Sequence, residues 1–331
     1  MAVAWGHSIL GERLLRQINH ALVIFMIADR PALGILLMIG FCILAPLGDA
    51  IAKLLGETIP LGQLLFVRFL AQVVLLIPVV WWMGASLRMA PRLLRLTFLR
   101  AVLHIIGIGA MFSALRFLPL ADALAIAFVM PFISLLLGKY VLGEEVGSRR
   151  LAACCVGFIG TLFVIQPSFA AVGLPALLPL LVAVSFALFM LLTRQVAKEL
   201  DPIVLQATSG IIASSILAVL FLIAAGPFSS VMTMVTPTTL ELWLLVAIGV
   251  IGTGGHLLMT WSLRFAPTAT LAPMQYLEIP FATIIGWMIF KDLPNGLAAL
   301  GIAITMASGL YIVYRERQTS KVALALDNGQ V

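Results

Sequence analysis

The sequence predicts an all-α integral membrane protein with ten transmembrane helices, and three observations lead to this prediction. Of the 331 residues, 62% are hydrophobic and only 10% are charged, whereas soluble domains carry about 25% charged residues. The apolar residues form ten runs of a length suited to roughly 30 Å of hydrocarbon, which takes about 20 helical residues. In addition, short motifs recur between the two halves of the chain at a nearly constant spacing.

Short polar or Pro/Gly-rich breaks separate the ten predicted spans, and they leave no room for a soluble domain. Examples are Gly56-Glu57-Thr58, Asp201-Pro202 and Gln166-Pro167-Ser168, the last of which is interpreted as the end of the fifth span. The predicted bounds are 32–54, 60–83, 96–115, 121–143, 150–166, 173–194, 204–225, 240–263, 268–290 and 295–314.

The positions of Lys and Arg predict how these spans cross the membrane, because basic residues concentrate in cytoplasmic loops. With a cytoplasmic N-terminus, only Lys53, Arg116 and Lys291 fall outside. A much larger set falls inside: Arg13, Arg16, Arg30, Arg88, Arg92, Arg95, Arg149, Arg150, Arg194, Lys198, Arg264, Arg315, Arg317 and Lys321. We therefore expect a multi-pass protein of the cell inner membrane with both termini in the cytoplasm. Topology and anionic lipid headgroups explain the net charge of +6 better than nucleic acid does.

The two ends of the chain are interpreted as cytoplasmic segments. Residues 1–31 contain an apolar stretch, Ile18–Ala28, which is too short to span the bilayer and is not followed by a small-residue cleavage site. A cytoplasmic N-terminal segment is therefore favoured over a cleaved signal peptide. Residues 315–331 are predicted to form a cytoplasmic tail, disordered from about Gln318.

An internal repeat divides the spans into two sets of five. The motif from Leu115 to Pro119 matches the motif from Leu263 to Pro267 at an offset of 148 residues, and Glu144 meets Asp292 at the same offset. The predicted repeats cover 32–166 and 173–314. Because five is odd, the second repeat has inverted topology, a common plan of secondary transporters. The alternative is an old duplication kept only for packing.

The same regions resemble the EamA-type module of the drug/metabolite transporter superfamily. The first half shows Leu118-Pro119-Leu120-Ala121-Asp122-Ala123, Pro131, Leu142-Gly143-Glu144-Glu145 and Gly157-Phe158-Ile159-Gly160-Thr161-Leu162, and Arg68-Phe69 is also similar to a frequent family feature. The second half shows Ala266-Pro267, Tyr276-Leu277-Glu278-Ile279-Pro280 and Ser308-Gly309-Leu310. Lys291-Asp292 departs from the usual Gly-Glu, which affects the turn before the last span.

The resemblance implies a ten-helix fold, a central cavity between the halves, and transport of amino acids, vitamins, nucleotides or other metabolites. Riboflavin, S-adenosylmethionine and amino acids are all compatible substrates, and riboflavin-type uptake is the first guess.

Glu278 is the strongest candidate for a functional residue. An ionisable group at mid-bilayer costs roughly 2.5–3.5 kcal/mol on insertion scales, so it needs a partner or a wet cavity. Pro273 and Pro280 flank Glu278, and a proline loosens a helix by removing a backbone donor. Gln275 and Tyr276 share this broken stretch. The functional interpretation is recognition of a substrate amine or proton coupling, and the alternative is a buried pair with Arg68.

Four further ionisable residues lie inside predicted spans and are candidates for binding or coupling. Arg68 suits an anionic substrate group, or alternatively a structural pair with Asp49 or Glu278. His104 and His256 suit a proton relay, or alternatively neutral packing. Pro131 would kink the fourth span as Pro280 kinks the ninth, and such a pair of broken helices points to a central site. Asp122 and Lys139, near span ends, are expected to snorkel.

The remaining motifs argue against an enzyme. The sequence has no Walker loop, HExxH or GxSxG motif, and we expect no cofactor and no metal. Cys42, Cys154 and Cys155 are interpreted as packing residues. The expected partners are a small-molecule substrate, membrane lipids and a coupling proton or ion, with a monomer or homodimer as the assembly. The alternative function is an intramembrane lipid flippase or membrane enzyme.

Overall fold

Helices form all the regular structure in the part of the chain that can be described. The computed structural model describes residues 30–143, 147–224 and 230–327 and has no strand among them. The predicted all-α class is confirmed for these residues. The N-terminal segment, apart from its last two residues, lies outside the described residues, as do Glu144, Glu145 and the end of the tail.

Six helices lie in the described residues of the first half: α1 Pro31–Leu55, α2 Leu61–Trp82, α3 Pro91–Ala114, α4 Leu120–Ala127, α5 Met130–Leu142 and α6 Ser148–Val172. Proline stands at the start of α1 and α3, where its missing N–H is not needed. The interruption between α4 and α5 comes just before Pro131, whose ring crowds the carbonyl group of Ala127. Helix α5 ends at Gly143, which has φ 68°, a left-handed conformation that glycine adopts without strain.

A 3-10 turn, Leu174–Leu177, leads into the second half. Its elements are α7 Leu178–Ala197, α8 Pro202–Ile223, α9 Thr239–Phe265, α10 Thr268–Leu271, a 3-10 segment Ala272–Leu277, α11 Glu278–Phe290 and α12 Gly296–Asp327. Two polar caps fix helix starts: the Asp201 side chain accepts from the Ile203 N–H, and Thr238 and Glu241 form a capping box.

The helices are suited to cross a membrane. Among the described residues, eight helical segments are long and apolar enough to span a bilayer, and α4 with α5 forms one of them. Two shorter apolar helical stretches follow them. Met274–Phe290 combines the end of the 3-10 segment with α11, and Gly296–Ser308 is the first part of α12. The protein is therefore a multi-pass membrane protein.

Three predicted helix boundaries are wrong. Helix α6 continues through Pro167 to Val172, and Gly173, with φ 70°, ends it; proline is tolerated inside membrane helices because neighbouring groups satisfy the freed carbonyl. Helix α3 begins at Pro91 rather than at residue 96. The prediction started too late because arginines in the first turns of the helix interrupt the apolar run. Helix α12 continues to Asp327, through the stretch that was predicted to be disordered.

The four most extensive helix contacts among the described residues all join the two halves: α1 packs along α9, α2 along α8, α3 along α7 and α6 along α12. Helices α6 and α12 approach each other closely, and a Cβ atom added at Gly160 would lie 2.7 Å from the carbonyl oxygen of Gly301. Small residues allow membrane helices to pack at this distance. The buried core therefore lies between the halves, and so does the cavity described below.

Candidate functional site

A narrow cavity of about 70 Å³ lies between the two halves. Most of its lining is apolar, and its ionisable lining residues come from four different helices: Asp49 on α1, Arg68 on α2, His256 on α9 and Glu278 on α11. One water takes roughly 10–15 Å³ by such a measure, so the cavity has room for only a few waters. Four of the predicted site residues thus line the same cavity although they are far apart in the sequence.

Glu278 is the first residue of α11, directly after the 3-10 segment that contains Pro273, Gln275 and Tyr276. Its side chain is buried, and its Oε1 atom has no hydrogen-bond partner among the described residues. The interruption precedes Pro280, which lies in the first turn of α11 rather than at a kink.

Arg68 is also buried, and its Nη1 atom has no hydrogen-bond partner among the described residues. No ion pair joins it to Asp49 or Glu278 within that part of the chain, so the structure does not contain the pairs considered from the sequence. A Cβ atom added at Gly252 would lie 2.8 Å from the Arg68 Cζ atom. The glycine on α9 thus makes room for the guanidinium group at the edge of the cavity.

His104 and His256 form a hydrogen bond between the two halves of the chain. Their Nε2 atoms are 3.2 Å apart, so one ring donates and the other accepts. Both side chains are buried, and each Nδ1 atom lacks a partner among the described residues. Aromatic rings enclose the pair, with the Phe69 and Phe189 centroids 5.0 and 4.6 Å from that of His104. His256 lines the cavity, and His104 lies behind it.

Gln275 and Tyr276 do not line the cavity. The Gln275 Nε2 atom lies 3.0 Å from the Met190 sulfur, and the Tyr276 ring packs 5.5 Å from the ring of Phe128. Both belong to the packing around the 3-10 segment. Asp122, which was expected to snorkel, is buried and accepts a hydrogen bond from Ser168 at 3.2 Å.

Arg100 is a buried polar centre that the sequence interpretation missed. Its side chain has no exposed surface. The guanidinium group donates to oxygen atoms on three helices of the second half: Thr193, Ser209, Gln206 and Thr260. The predicted span began at residue 96 and placed Arg100 near its end. Because α3 begins at Pro91, Arg100 lies further from the helix end than predicted. The burial of its side chain was therefore not expected.

Comparison with known proteins connects this arrangement to transport. A family model described as the EamA-like transporter family matches residues 32–166 and 173–314. These matches cover most of the chain. The protein belongs to the EamA-like transporter family.

Several curated relatives of this EamA-like transporter are named for their solutes. The riboflavin transporter of Rhizobium johnstonii is 27% identical over 67% of this chain and 71% of its own length. The S-adenosylmethionine uptake transporter of Rickettsia prowazekii is 25% identical over 82% and 90%. The pseudopaline exporter of Pseudomonas aeruginosa is 27% identical over 87% and 96%. These names point to transport of small molecules and away from an enzyme. They do not give a direction of transport, because they include both uptake and export.

A solved structure shares the fold. A crystal structure with 17% sequence identity superposes with a TM-score of 0.63 and covers 87% of this chain and 98% of that chain. At this identity the match supports the helical arrangement alone.

Proposed function

We propose that this EamA-like transporter is a secondary active transporter that moves a small polar metabolite across the cell inner membrane by alternating access. The observation that carries the proposal is the convergence of Asp49, Arg68, His256 and Glu278 on one cavity between the halves. Three of them hold buried polar atoms, Arg68 Nη1, His256 Nδ1 and Glu278 Oε1, that have no partner among the described residues. Buried polar atoms are normally paired, so these three are suited to bind a solute.

The packing supports the arrangement as two related five-helix repeats, and we propose that they are inverted, with ten crossings and cytoplasmic termini. Helices α5 and α11 are each 13 residues long, and the offset of 148 residues found in the motifs relates their first residues, Met130 and Glu278. Both of these residues line the cavity. The pairing of α1 with α9 corresponds to that of α7 with α3 under exchange of the repeats. Such an arrangement can rock between two mirror-related states around a central site.

The charges of the cavity narrow the substrate class. Arg68 can bind a carboxylate or phosphate through parallel N–H donors, whereas Glu278 and Asp49 can bind an amine. A solute that carries both charges, such as an amino acid or a nucleoside-like cofactor with an amino-acid group, fits this arrangement better than an uncharged vitamin such as riboflavin. Glu278 and His256 are the residues we propose for a coupling proton.

The narrowness of the cavity supports alternating access. A cavity that holds only a few waters has no room for a metabolite of this kind. We infer that the structure represents a closed state, and that helices at the cavity move apart to admit the substrate.

A thermal-shift screen of the purified protein tests the proposal. The panel contains amino acids, S-adenosylmethionine, nucleosides and riboflavin, because a ligand that binds only the native state raises the melting temperature by mass action. We expect a charged amino-acid-like ligand to raise it, and Glu278→Gln to remove the shift.

Met130→Gln is the matched control, because it places the same side chain at the same position of the other broken helix. A shift that survives Glu278→Gln would contradict the proposed site. No shift with any metabolite would contradict metabolite transport and favour the lipid flippase.

A further inference from the structure

Helix α3 carries Arg100, then His104, and then the residues that line the cavity, in this order from its N-terminus. Ile108, Met111 and Phe112 line the cavity, His104 lies one turn towards the helix N-terminus, and Arg100 lies one turn further. With a rise of about 1.5 Å per residue, Arg100 is roughly 12 Å from Ile108 along the helix axis. The Arg100 side chain therefore lies on the α3 N-terminal side of the cavity, which we call the Arg100 side.

Hydrogen bonds from Arg100 fasten α3 to three helices of the other half. Its Nε atom donates to Thr193 on α7 at 2.7 Å, and its terminal nitrogens donate to Ser209 and Gln206 on α8, both at 2.6 Å. A longer contact of 3.4 Å reaches Thr260 on α9. All four acceptors lie on the Arg100 side, so the network joins the two halves between the cavity and that end of the bundle.

The partners of Arg100 are neutral. No carboxylate forms an ion pair with it in the described part of the chain, and its Cζ atom lies 4.3 Å from the centre of the Phe189 ring. A buried charge is normally paired with an opposite charge. Hydroxyl and amide oxygens satisfy the N–H groups but leave the positive charge uncompensated. This arrangement can release the guanidinium group more easily than an ion pair can, and the released group attracts anions.

We propose that Arg100 is an anion-selective gate that closes the Arg100 side of the cavity. When the halves rock apart, the hydrogen bonds to α7, α8 and α9 break, and the guanidinium group faces the opened path. There it binds the carboxylate, phosphate or sulfonate group of a passing solute and repels purely cationic solutes. The proposal rests on the proposed function, because a gate needs a transport path, but its test uses no transported substrate.

Site-specific thiol labelling tests the gate. Cys42, Cys154 and Cys155, the three native cysteines, are replaced by serine, and Ile108→Cys supplies one reporter thiol in the cavity. Oriented membrane vesicles expose one face at a time to two membrane-impermeant methanethiosulfonates of similar size. One reagent carries a sulfonate group and the other carries a trimethylammonium group.

From the Arg100 side, we expect slow labelling and a faster reaction with the anionic reagent. Arg100→Gln places an uncharged amide, still a hydrogen-bond donor, at the position and removes the charge. Labelling from that side therefore speeds up, and the preference for the anionic reagent falls at least about tenfold, the equivalent of 1.4 kcal/mol. Arg100→Lys loses the fork of donors but keeps the charge, so labelling speeds up and the preference remains. Arg95→Gln on the exposed face of α3 is the charge control and changes neither.

A second set of variants keeps the test decisive if Arg100→Gln does not fold. Ser209→Ala and Thr260→Val remove acceptors and leave the charge, so they speed labelling from the Arg100 side and keep the anionic preference. Unchanged rates and preferences in folded variants at Arg100 would overturn the proposal, as would an equal effect of Arg95→Gln. A charge-selective result with an empty metabolite screen would retain the gate and reject metabolite transport.

Discussion

Helices α5 and α11 have the same geometry and different chemistry. Each follows an interruption, each is 13 residues long, and each ends in a left-handed residue, Gly143 with φ 68° and Lys291 with φ 60°. Their first residues line the same cavity, but one is Met130 and the other is Glu278. The comparison teaches that a residue after an interruption lines the cavity in both halves, whereas only one of the two helices places an ionisable residue there, the one that we propose for recognising a solute.

The largest expected effect is a difference in transport rate between variants at the first residues of α11 and α5. We expect Glu278→Gln to lower the transport rate of a ligand from the screen at least about tenfold, because a hydrogen bond to a charged group contributes roughly 1.5–3 kcal/mol. Met130→Gln should lower it less than about threefold, since no charge is lost. Initial rates in proteoliposomes measure both. Equal losses would mean that the cavity shape, and not the charge, determines transport.

The position of Arg68 gives the next effect. In Gly252→Ala the new methyl group would lie 2.8 Å from the Arg68 Cζ atom, whereas in Gly254→Ala its nearest neighbour, a Leu44 methyl group, is 3.8 Å away. We expect the first variant to displace the guanidinium group and weaken ligand binding about tenfold, the loss expected when a charge-assisted contact is disturbed. The second should bind normally. Ligand titrations by melting temperature compare them, and equal affinities would argue against Arg68 as a binding residue.

Substitutions of the left-handed residues that end α5 and α11 should have smaller effects on the free energy of unfolding, with opposite signs. Lys291 adopts a left-handed conformation that costs a residue with a Cβ atom about 1–2 kcal/mol, and a cation–π contact with Trp287 at 5.4 Å offsets part of this. We expect Lys291→Gly to raise the free energy of unfolding by about 1 kcal/mol and Gly143→Ala to lower it by a similar amount. Denaturant unfolding in micelles measures both. A loss of stability in Lys291→Gly would show that the lysine contacts outweigh the backbone strain.

The smallest effect concerns ion pairs that join the halves. Lys53 and Asp292 are 3.1 Å apart and partly buried, whereas Arg92 and Glu199 are 2.7 Å apart and more exposed. Exposed pairs contribute about 0–1 kcal/mol. Double-mutant cycles should therefore give a coupling of about 0.5 kcal/mol for the first pair and less for the second. A larger coupling in the exposed pair would contradict this order.

Most of the fold could be predicted from local sequence signals. Apolar runs of about 20 residues identified the helices, and the prolines marked the interrupted ones. Errors arose where too much weight was given to a single residue. Pro167 was taken as a helix end, but a membrane helix can accommodate proline, and Gly173 is the residue that adopts a positive φ.

The cavity could be predicted in part, because an ionisable residue inside an apolar run is costly and therefore conspicuous. This argument selected Asp49, Arg68, His256 and Glu278. It did not separate them from Gln275 and Tyr276, since position in a broken stretch does not reveal which way a side chain points. The Arg100 network could not be predicted, because its acceptors lie on three other helices and only the folded chain brings them together.

The contact between Gly160 and Gly301 has a consequence for how motion could be measured. Because the backbones of α6 and α12 come close together there, neither helix can approach the other further, and separating them would lose this tight packing. We expect labels on α6 and α12 to keep a constant distance through the transport cycle, while the helices around the cavity move relative to this pair. This helix pair would then serve as the fixed reference against which the movements of the other helices are recorded.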